Sequence, residues 1–216
     1  MIEDLFNFDE NEKGEFEFII GTDEAGRGPG AGPVFAAAVC FTKRNKKIEK
    51  LLEKLNDSKK LTEKLREELF PIIVENSVHA VKFSTVEEIE KINILNASLK
   101  SMKFACEEVI QALKSTNATI LADGNRLIKN FKYPQKFVIK GDSKSASIAA
   151  ASILAKVSRD RYMKELSKNF PEYDFEHNKG YLTAKHLEAV DKYGLTPHHR
   201  KKFLEKHFTK QTTLPL

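Results

Sequence analysis

Four carboxylates stand where apolar runs of the chain come to a stop. Asp23 and Glu24 follow "EFEFIIGT" (15–22), Asp123 closes "ATILAD" (118–123), and Asp142 follows "KFVIKG" (136–141). Carboxylates gathered in one place cannot all stay ionised unless a cation joins them. An all-oxygen set without paired His or Cys suits Mg²⁺ or Mn²⁺ and argues against zinc. Two such ions about 3.5–4 Å apart clamp a phosphodiester, one activating water and the other stabilising the leaving oxygen. Taken singly, Asp123 and Asp142 read first as turn residues, because Asp-Gly is a common turn and Asp after a strand often caps the next element. The adjacent Asp23-Glu24 pair is harder to explain that way, and the three sites together harder still.

Beside the first pair lies "GRGPGAGP" (26–33). Gly26, Gly28 and Ala31 formally match the dinucleotide fingerprint G-x-G-x-x-[GA] after a strand. Three features count against that reading. The preceding carboxylates would repel a pyrophosphate, Pro29 removes a backbone donor, and Gly32-Pro33 interrupts the start of the required helix. No G-K-[ST] comes after it, which excludes a Walker motif. The alternative use of Gly26-Arg27-Gly28 is close approach, in which backbone groups reach a sugar while Arg27 meets a phosphate.

Other polar residues are candidates for the same polyanion. "NDSKKLT" (56–62) offers Lys59 and Lys60 on a loop, and "GDSKSAS" (141–147) offers Lys144, Ser145 and Ser147 at a helix start. A helix N-terminus with hydroxyls is a ready phosphate site, although the same residues also make an ordinary capped helix with a solvated lysine. Tyr181 follows a glycine in "HNKGYLT", where an exposed aromatic stacks on a sugar or base; a lone tyrosine otherwise belongs in a core. His198 and His199 read as surface residues at a helix start, with no third ligand at metal spacing.

The elements that must position these residues emerge from periodicity. "EFEFIIGT" alternates and then turns apolar, which predicts a strand ending at the Asp-Glu pair. "VFAAAVCF" (34–41) predicts a buried strand, with its three alanines leaving a helix open. Leucines at helical spacing over 48–55 and 62–75 flank the "NDSKKLT" loop, and "SVHAVKF" (77–83) predicts another strand. A long helix is expected over 94–114, with Phe104 among its core-facing residues. "ATILADGN" (118–125) predicts a short strand broken by Asp-Gly and "KFVIKGDSKS" (136–145) another ended by Gly-Asp, before a second long helix over 145–170, rich in small residues early and ended by Pro171. The remainder reads as a loop and two short helices, the last opened by Thr196 as N-cap and Pro197. Strands with helices interposed argue for an α/β sheet. Ligands of such sheets sit at the carboxyl ends of strands, so the acidic sites converge if their strands are parallel and adjacent.

Composition narrows the class. Of 216 residues 41% are hydrophobic and 31% charged, enough to bury a core. The longest apolar run is too short to span a bilayer, and the acidic start lacks the basic region of a signal peptide. Both features suggest a cytoplasmic protein, with Cys40 and Cys106 as core thiols. Net charge is +5, and its distribution is uneven. Residues 1–150 balance at 23 basic and 23 acidic, whereas 151–216 carry 13 against 8, so the excess suggests a polyanion partner for the C-terminal third. The expected organisation is an acidic N-terminal tail (1–14), an α/β core that holds the acidic sites (15–170) and a C-terminal helical portion (171–216).

At this point the chain resembles ribonuclease H type 2, or ribonuclease HII. The resemblance rests on "GTDEAGRGPGAGPV", "NDSKKLT", "INILNASLKSM", "ADGN", "KGDSKSASIAAASILAKVSRDRYM" and "FPEYDFEHNKGYLTAKHLEAVDKYGLTPHHRKKF", in that order along nearly the whole chain. It implies a ribonuclease-H-like mixed sheet flanked by helices, with a C-terminal helical extension. It also implies a Mn²⁺- or Mg²⁺-dependent endoribonuclease acting on RNA–DNA hybrids and on single ribonucleotides embedded in duplex DNA. The cut implied falls on the 5′ side of a ribonucleotide and leaves 5′-phosphate and 3′-hydroxyl ends. By motif position, Asp23, Glu24, Asp123 and Asp142 match the catalytic and metal-binding carboxylates. Gly26, Arg27 and Gly28 match the element that reads the 2′-hydroxyl at the junction, and Tyr181 the tyrosine packed on the adjoining deoxynucleotide. Lys59, Lys60, Lys144, Ser145 and Ser147 correspond to phosphate-facing positions.

The related type 3 enzymes carry lysine where Arg27 stands and a longer N-terminal domain, for which about fourteen residues before the first strand leave no room. A monomer is expected, since nothing in the sequence demands a dimer. Two competing readings remain in view. A non-catalytic nucleic-acid-binding module would bind in a salt-sensitive way without forming product. A nucleotide-dependent oxidoreductase would bind NAD or FAD.

Overall fold

The computed structural model describes residues 5–43 and 61–212. The helix expected over 48–55, and with it Lys59 and Lys60, lies outside the described residues. Five strands form one sheet: β1 (Phe18–Ala25), β2 (Val34–Cys40), β3 (Val78–Ser84), β4 (Ala118–Asp123) and β5 (Gln135–Val138), in the order β3-β2-β1-β4-β5. β2 pairs antiparallel with both β1 and β3, while β4 runs parallel to β1 and β5 parallel to β4. A parallel return needs a long crossover. Between β3 and β4 it is supplied by α3 (Val86–Ile92) and α4 (Ile94–Leu113).

β2 shows why its sequence is apolar without alternation. Ala36, Ala38 and Cys40 enter one core cluster with α4, whereas Ala37 and Val39 enter another with α2 (Glu63–Asn76) and α5 (Ala146–Asn169). A strand covered on both faces reads as a continuous apolar run, and alanines let both helices approach closely. Cys40 and Cys106 are free, buried thiols, both pushed up to about 12 by burial. On β1 the approach of α5 is tighter still. A Cβ on Gly21 would stand 2.3 Å from the backbone at Ser147 and Ile148, so only glycine fits where the helix start crosses the strand.

Several expectations are corrected. The acidic stretch at the N-terminus is not a tail along its whole length: Leu5–Lys13 form α1, with Leu5 and Phe6 packed in the core beside β2 and α5. Its Asp9 is buried and accepts hydrogen bonds from the N–H (2.8 Å) and hydroxyl (2.7 Å) of Ser147, which occupies an otherwise unpaired amide at the start of α5. Phe104, expected in the core, is exposed on α4 with the Lys100 ammonium over its ring. Thr196 and Pro197 do not open the last helix. They form a turn closed by the His199 N–H on the Thr196 carbonyl, and α8 (Lys201–Thr212) starts beyond it.

The C-terminal portion carries three helices after a turn at Pro171–Tyr173: the short α6 (Phe175–Asn178), α7 (Ala184–Tyr193) and α8. Its backbone is bonded to the glycine loop of the core. The Gly180 carbonyl accepts from the N–H groups of Gly30 and Ala31, Gly32 donates to His198, and Arg200 donates to Gly30. No helix among the described residues is long and apolar enough to cross a membrane.

Candidate active site

Parallel pairing of β1 and β4 sets Thr22 opposite Ala122, so Asp23 and Asp123 emerge at the same level of neighbouring strand ends. Successive residues of a strand face opposite ways. Asp23 accordingly turns toward α5, where the Ser152 side chain bonds it, and Glu24 turns toward Ser98 on α4. The carboxylate of Asp23 also accepts the Glu24 N–H at 2.7 Å, and that of Glu24 accepts Arg27 Nη1 at 3.0 Å. Asp123 Oδ1 accepts the N–H of Gly141 at 2.7 Å. A Cβ on Gly141 would meet that same oxygen at 3.1 Å and Ile148 at 2.5 Å, so glycine is what permits the contact.

Asp23, Glu24 and Asp123 line one cavity of about 370 Å³. Asp142 is buried in the turn Gly141–Ser143, next to the amide that holds Asp123, and does not line the cavity. The charges are only partly relieved. Burial, then the charges of Glu24 and Asp123, hold the Asp23 carboxyl well above the usual carboxylate range. Burial also raises Glu24, against the hydrogen bond and charge of Arg27. Among the described residues no three His, Cys, Asp or Glu side chains are drawn together into a ready metal cluster. Each of the three cavity carboxylates is instead oriented by its own protein donor.

Cations form the other side. Ser152, Lys156 and Arg159 recur at i, i+4 and i+7 on α5 and line the cavity together with Arg66 of α2. Buried Asp160 accepts Lys156 Nζ at 2.7 Å and lies 3.9 Å from Arg66 Nη2, which fixes both cations at the cavity wall. Burial pulls the Lys156 ammonium down, and Asp160 counters it. Arg159 is fully buried and donates to the carbonyls of Pro33 (3.1 Å), Lys179 (2.9 Å) and Ala31 (3.1 Å). Burial lowers it to about 10, so it stays charged at neutral pH.

The glycine loop is clamped from within. Gly26 has φ +99°, and a Cβ there would lie 2.1 Å from Arg159 Nε. Buried Arg200 donates to the carbonyls of Gly26 (2.7 Å), Pro29 (2.8 Å) and Gly32 (2.7 and 2.9 Å). Arg27 and Gly28 are left exposed at the cavity mouth. Tyr181, 51% exposed, also lines the cavity, and a Cβ on Gly28 would reach its ring at 3.4 Å.

The structure therefore brings Asp23, Glu24, Gly26 and Asp123 to one cavity with Tyr181, and places Arg27 and Gly28 at its mouth. Asp142 stands outside it, one residue beyond the Gly141 amide. Lys144 is exposed, but Ser145 and Ser147 are buried and do not face an external phosphate. Ser145 caps α5 by accepting the Ile148 N–H, and Ser147 donates to Asp9. His199 is buried rather than on the surface, 3.0 Å from His186. The sequence reading missed Ser152, Lys156, Arg159, Arg200 and the histidine pair. A helical wheel over 146–169 displays the first three on one face; for Arg200 no local signal exists, since its partners lie 168 to 174 residues earlier. The histidines have partners near in the chain, but His199 reads simply as a surface residue.

A mixed five-stranded sheet flanked by helices, with acidic residues at the ends of its central parallel strands, is the ribonuclease-H-like fold. The structure is similar to the ribonuclease H2 of Pyrococcus horikoshii, with TM-score 0.71 and 26% identity, covering 91% of this chain and 100% of that one. In sequence, the ribonuclease HII of Fusobacterium nucleatum is 51% identical over 193 residues, 89% of this chain and 88% of that protein. The ribonuclease HII of Endomicrobium trichonymphae is 47% identical over 206 residues, covering 94% and 93%. The family model for ribonuclease HII matches residues 20–211. The chain belongs to the ribonuclease HII family, and so to the ribonuclease H class of nucleases.

Proposed function

We propose that the cavity hydrolyses the phosphodiester on the 5′ side of a ribonucleotide, in RNA–DNA hybrids and at single ribonucleotides embedded in duplex DNA, leaving 3′-hydroxyl and 5′-phosphate ends. The observation that carries this is the position of Tyr181 against Gly28 at the mouth of a cavity lined by Asp23, Glu24 and Asp123. A sugar-reading segment and a set of carboxylates then meet one nucleotide.

The donor set fits a hard dication: it is all oxygen, at least half-buried, and the charges of its neighbours add to the burial that raises Asp23 and Glu24. Asp23, Glu24 and Asp123 are the cavity residues that would hold Mg²⁺ or Mn²⁺, with Asp142, one residue beyond the Gly141 amide, assigned to the same set from its place in the sequence. Bound there, the ions would activate a water and neutralise the leaving oxygen. The chain's own groups orient the carboxylates, Ser152 on Asp23, Arg27 on Glu24 and the Gly141 amide on Asp123. Exposed backbone at Gly26-Arg27-Gly28 reads the 2′-hydroxyl, and Tyr181 packs on the neighbouring deoxynucleotide. Lys144 faces a backbone phosphate, with Lys59 and Lys60 assigned likewise from sequence. Ser145 and Ser147 have no part in this, being engaged in α5.

The test is a set of labelled duplexes carrying none, one or several ribonucleotides, incubated with Mg²⁺ or Mn²⁺, with both product ends mapped. A cut 5′ to the lone ribonucleotide, absent in all-DNA duplex, is expected. Binding without product would favour a non-catalytic nucleic-acid module instead.

A further inference from the structure

The two buried histidines of the C-terminal portion take no part in the chemistry above. His186 on α7 and His199 are 1% and 2% exposed, and their Nε2 atoms stand 3.0 Å apart. The end of the chain of bonds fixes every proton in it. The Thr196 N–H can only donate, so His199 Nδ1, 3.0 Å away, accepts and the ring's proton sits on Nε2. That proton points at His186 Nε2, which must accept. His186 keeps its own proton on Nδ1, 2.8 Å from the carbonyl of Tyr181. Both rings are neutral in this arrangement, the state that burial favours: it lowers His186 and is the main cause that brings His199 down to about 4.

The pair closes a ring of bonds around the glycine loop. On one side Gly180 holds Gly30 and Ala31; on the other, His198 and Arg200 hold Gly32 and Gly30. The imidazoles join these two outer segments behind the loop, from Thr196 through to Tyr181. Packing alone does not call for them. His199 lies among the rings of Tyr173 (4.9 Å) and Phe175 (5.7 Å), where apolar rings of similar volume would avoid the cost of burying polar nitrogens.

We infer that the His186–His199 pair is a positioning device for junction recognition, setting Tyr181 against Gly28 and so the slot that a ribonucleotide and its neighbour enter. This rests on the reading of Tyr181 as a substrate contact. Neither histidine lines the cavity, and neither acts on the phosphodiester.

Two measurements test it. In ¹⁵N-histidine spectra of the wild-type protein near neutral pH, His186 is expected as the Nδ1–H tautomer and His199 as the Nε2–H tautomer. A charged ring or the opposite tautomers would overturn the relay, whatever any variant does. Kinetics on a duplex with one ribonucleotide then compare His186→Phe, which keeps ring volume, with His186→Asn, which keeps a donor at the Nδ1 position. Phe removes both bonds of His186; loss of the one to the Tyr181 carbonyl, which bears on the slot, corresponds to a KM raised about fivefold to tenfold in His186→Phe, with kcat within about twofold. His186→Asn is expected to restore most of the KM. A wild-type KM in His186→Phe, or a loss confined to kcat, would contradict the inference. Tyr181→Ala separates the two claims. An unchanged KM there overturns the role given to Tyr181, whereas a raised KM there beside a wild-type KM in His186→Phe overturns the relay alone.

Discussion

The acidic wall of the cavity and the glycine wall facing it are held in opposite ways. Asp23, Glu24 and Asp123 sit at strand ends, each with few protein partners, and the charge on Asp23 is opposed by its neighbours. The loop over 26–33 has its carbonyls filled by Arg159 and Arg200, both buried, and its amides bonded to Gly180 and His198. One wall stores unfavourable charge for a ligand to relieve; the other is clamped over 29–33 before any ligand arrives, with Arg27 and Gly28 left exposed. The contrast separates reactivity from selection: the first wall is built to gain from a cation, the second to keep its shape.

Substitutions on the two walls are therefore expected to fail differently. Asp123→Asn removes charge from the acidic wall and is expected to lower cleavage of a one-ribonucleotide duplex by about 10³-fold, a loss typical of a deleted transition-state contact. Its thermal midpoint stays near that of wild type. Asp23→Asn shares the loss of activity but raises the midpoint at pH 8, because the raised carboxyl is a charge the folded state disfavours. Near-normal activity in either would sink the assignment of the acidic wall.

Arg200→Met breaks the opposite wall. Leaving the carbonyls of Gly26, Pro29 and Gly32 without donors is expected to destabilise the fold by about 4 kcal/mol in urea unfolding. Arg200→Lys rescues little, since one ammonium does not reproduce the guanidinium fork. A wild-type midpoint in Arg200→Met would show that the clamp is not what shapes the loop.

A third effect lies outside both walls. Burial lifts Asp9 from 3.8 to about 6. An acid raised in the folded state stabilises fully below its unfolded value, and that stability is lost as pH rises through the folded one. Unfolding free energy is thus expected to fall by about 3 kcal/mol between about pH 4 and pH 7, and Asp9→Asn to flatten that slope without altering substrate choice. The smallest effect is reserved for Gly28→Ala. Its Cβ finds ordinary contact with Tyr181 and no positive φ, so stability should move by less than about 1 kcal/mol. Preference for the ribonucleotide should nevertheless drop. Gly26→Ala, by contrast, forces a Cβ to 2.1 Å from Arg159 at φ +99° and should unfold the loop.

This division also decides what was legible in the sequence. The acidic wall was readable because strand ends and carboxylates are local signals, and parallel β1 and β4 deliver them to one edge. β2 was legible as a buried apolar run, although its three alanines left a helix open. The glycine loop was visible as a loop, but not its clamp, because Arg159 and Arg200 act on residues more than a hundred positions earlier. Ser145 and Ser147 looked like a phosphate site because a capped helix start has the same composition whether it faces water or Asp9. α1 was hidden by its acidic residues, although Leu5 and Phe6 supplied the apolar anchor.

The central claim is that one wall cuts and the other chooses. It is tested most directly by measuring, for Asp123→Asn and Tyr181→Ala side by side, binding preference for a one-ribonucleotide duplex over its all-DNA counterpart and the rate of cleavage of a fully hybrid duplex. Asp123→Asn is expected to keep the preference and lose the cleavage, and Tyr181→Ala to keep cleavage of the hybrid and lose the preference. Loss of both properties together in either variant would contradict the claim.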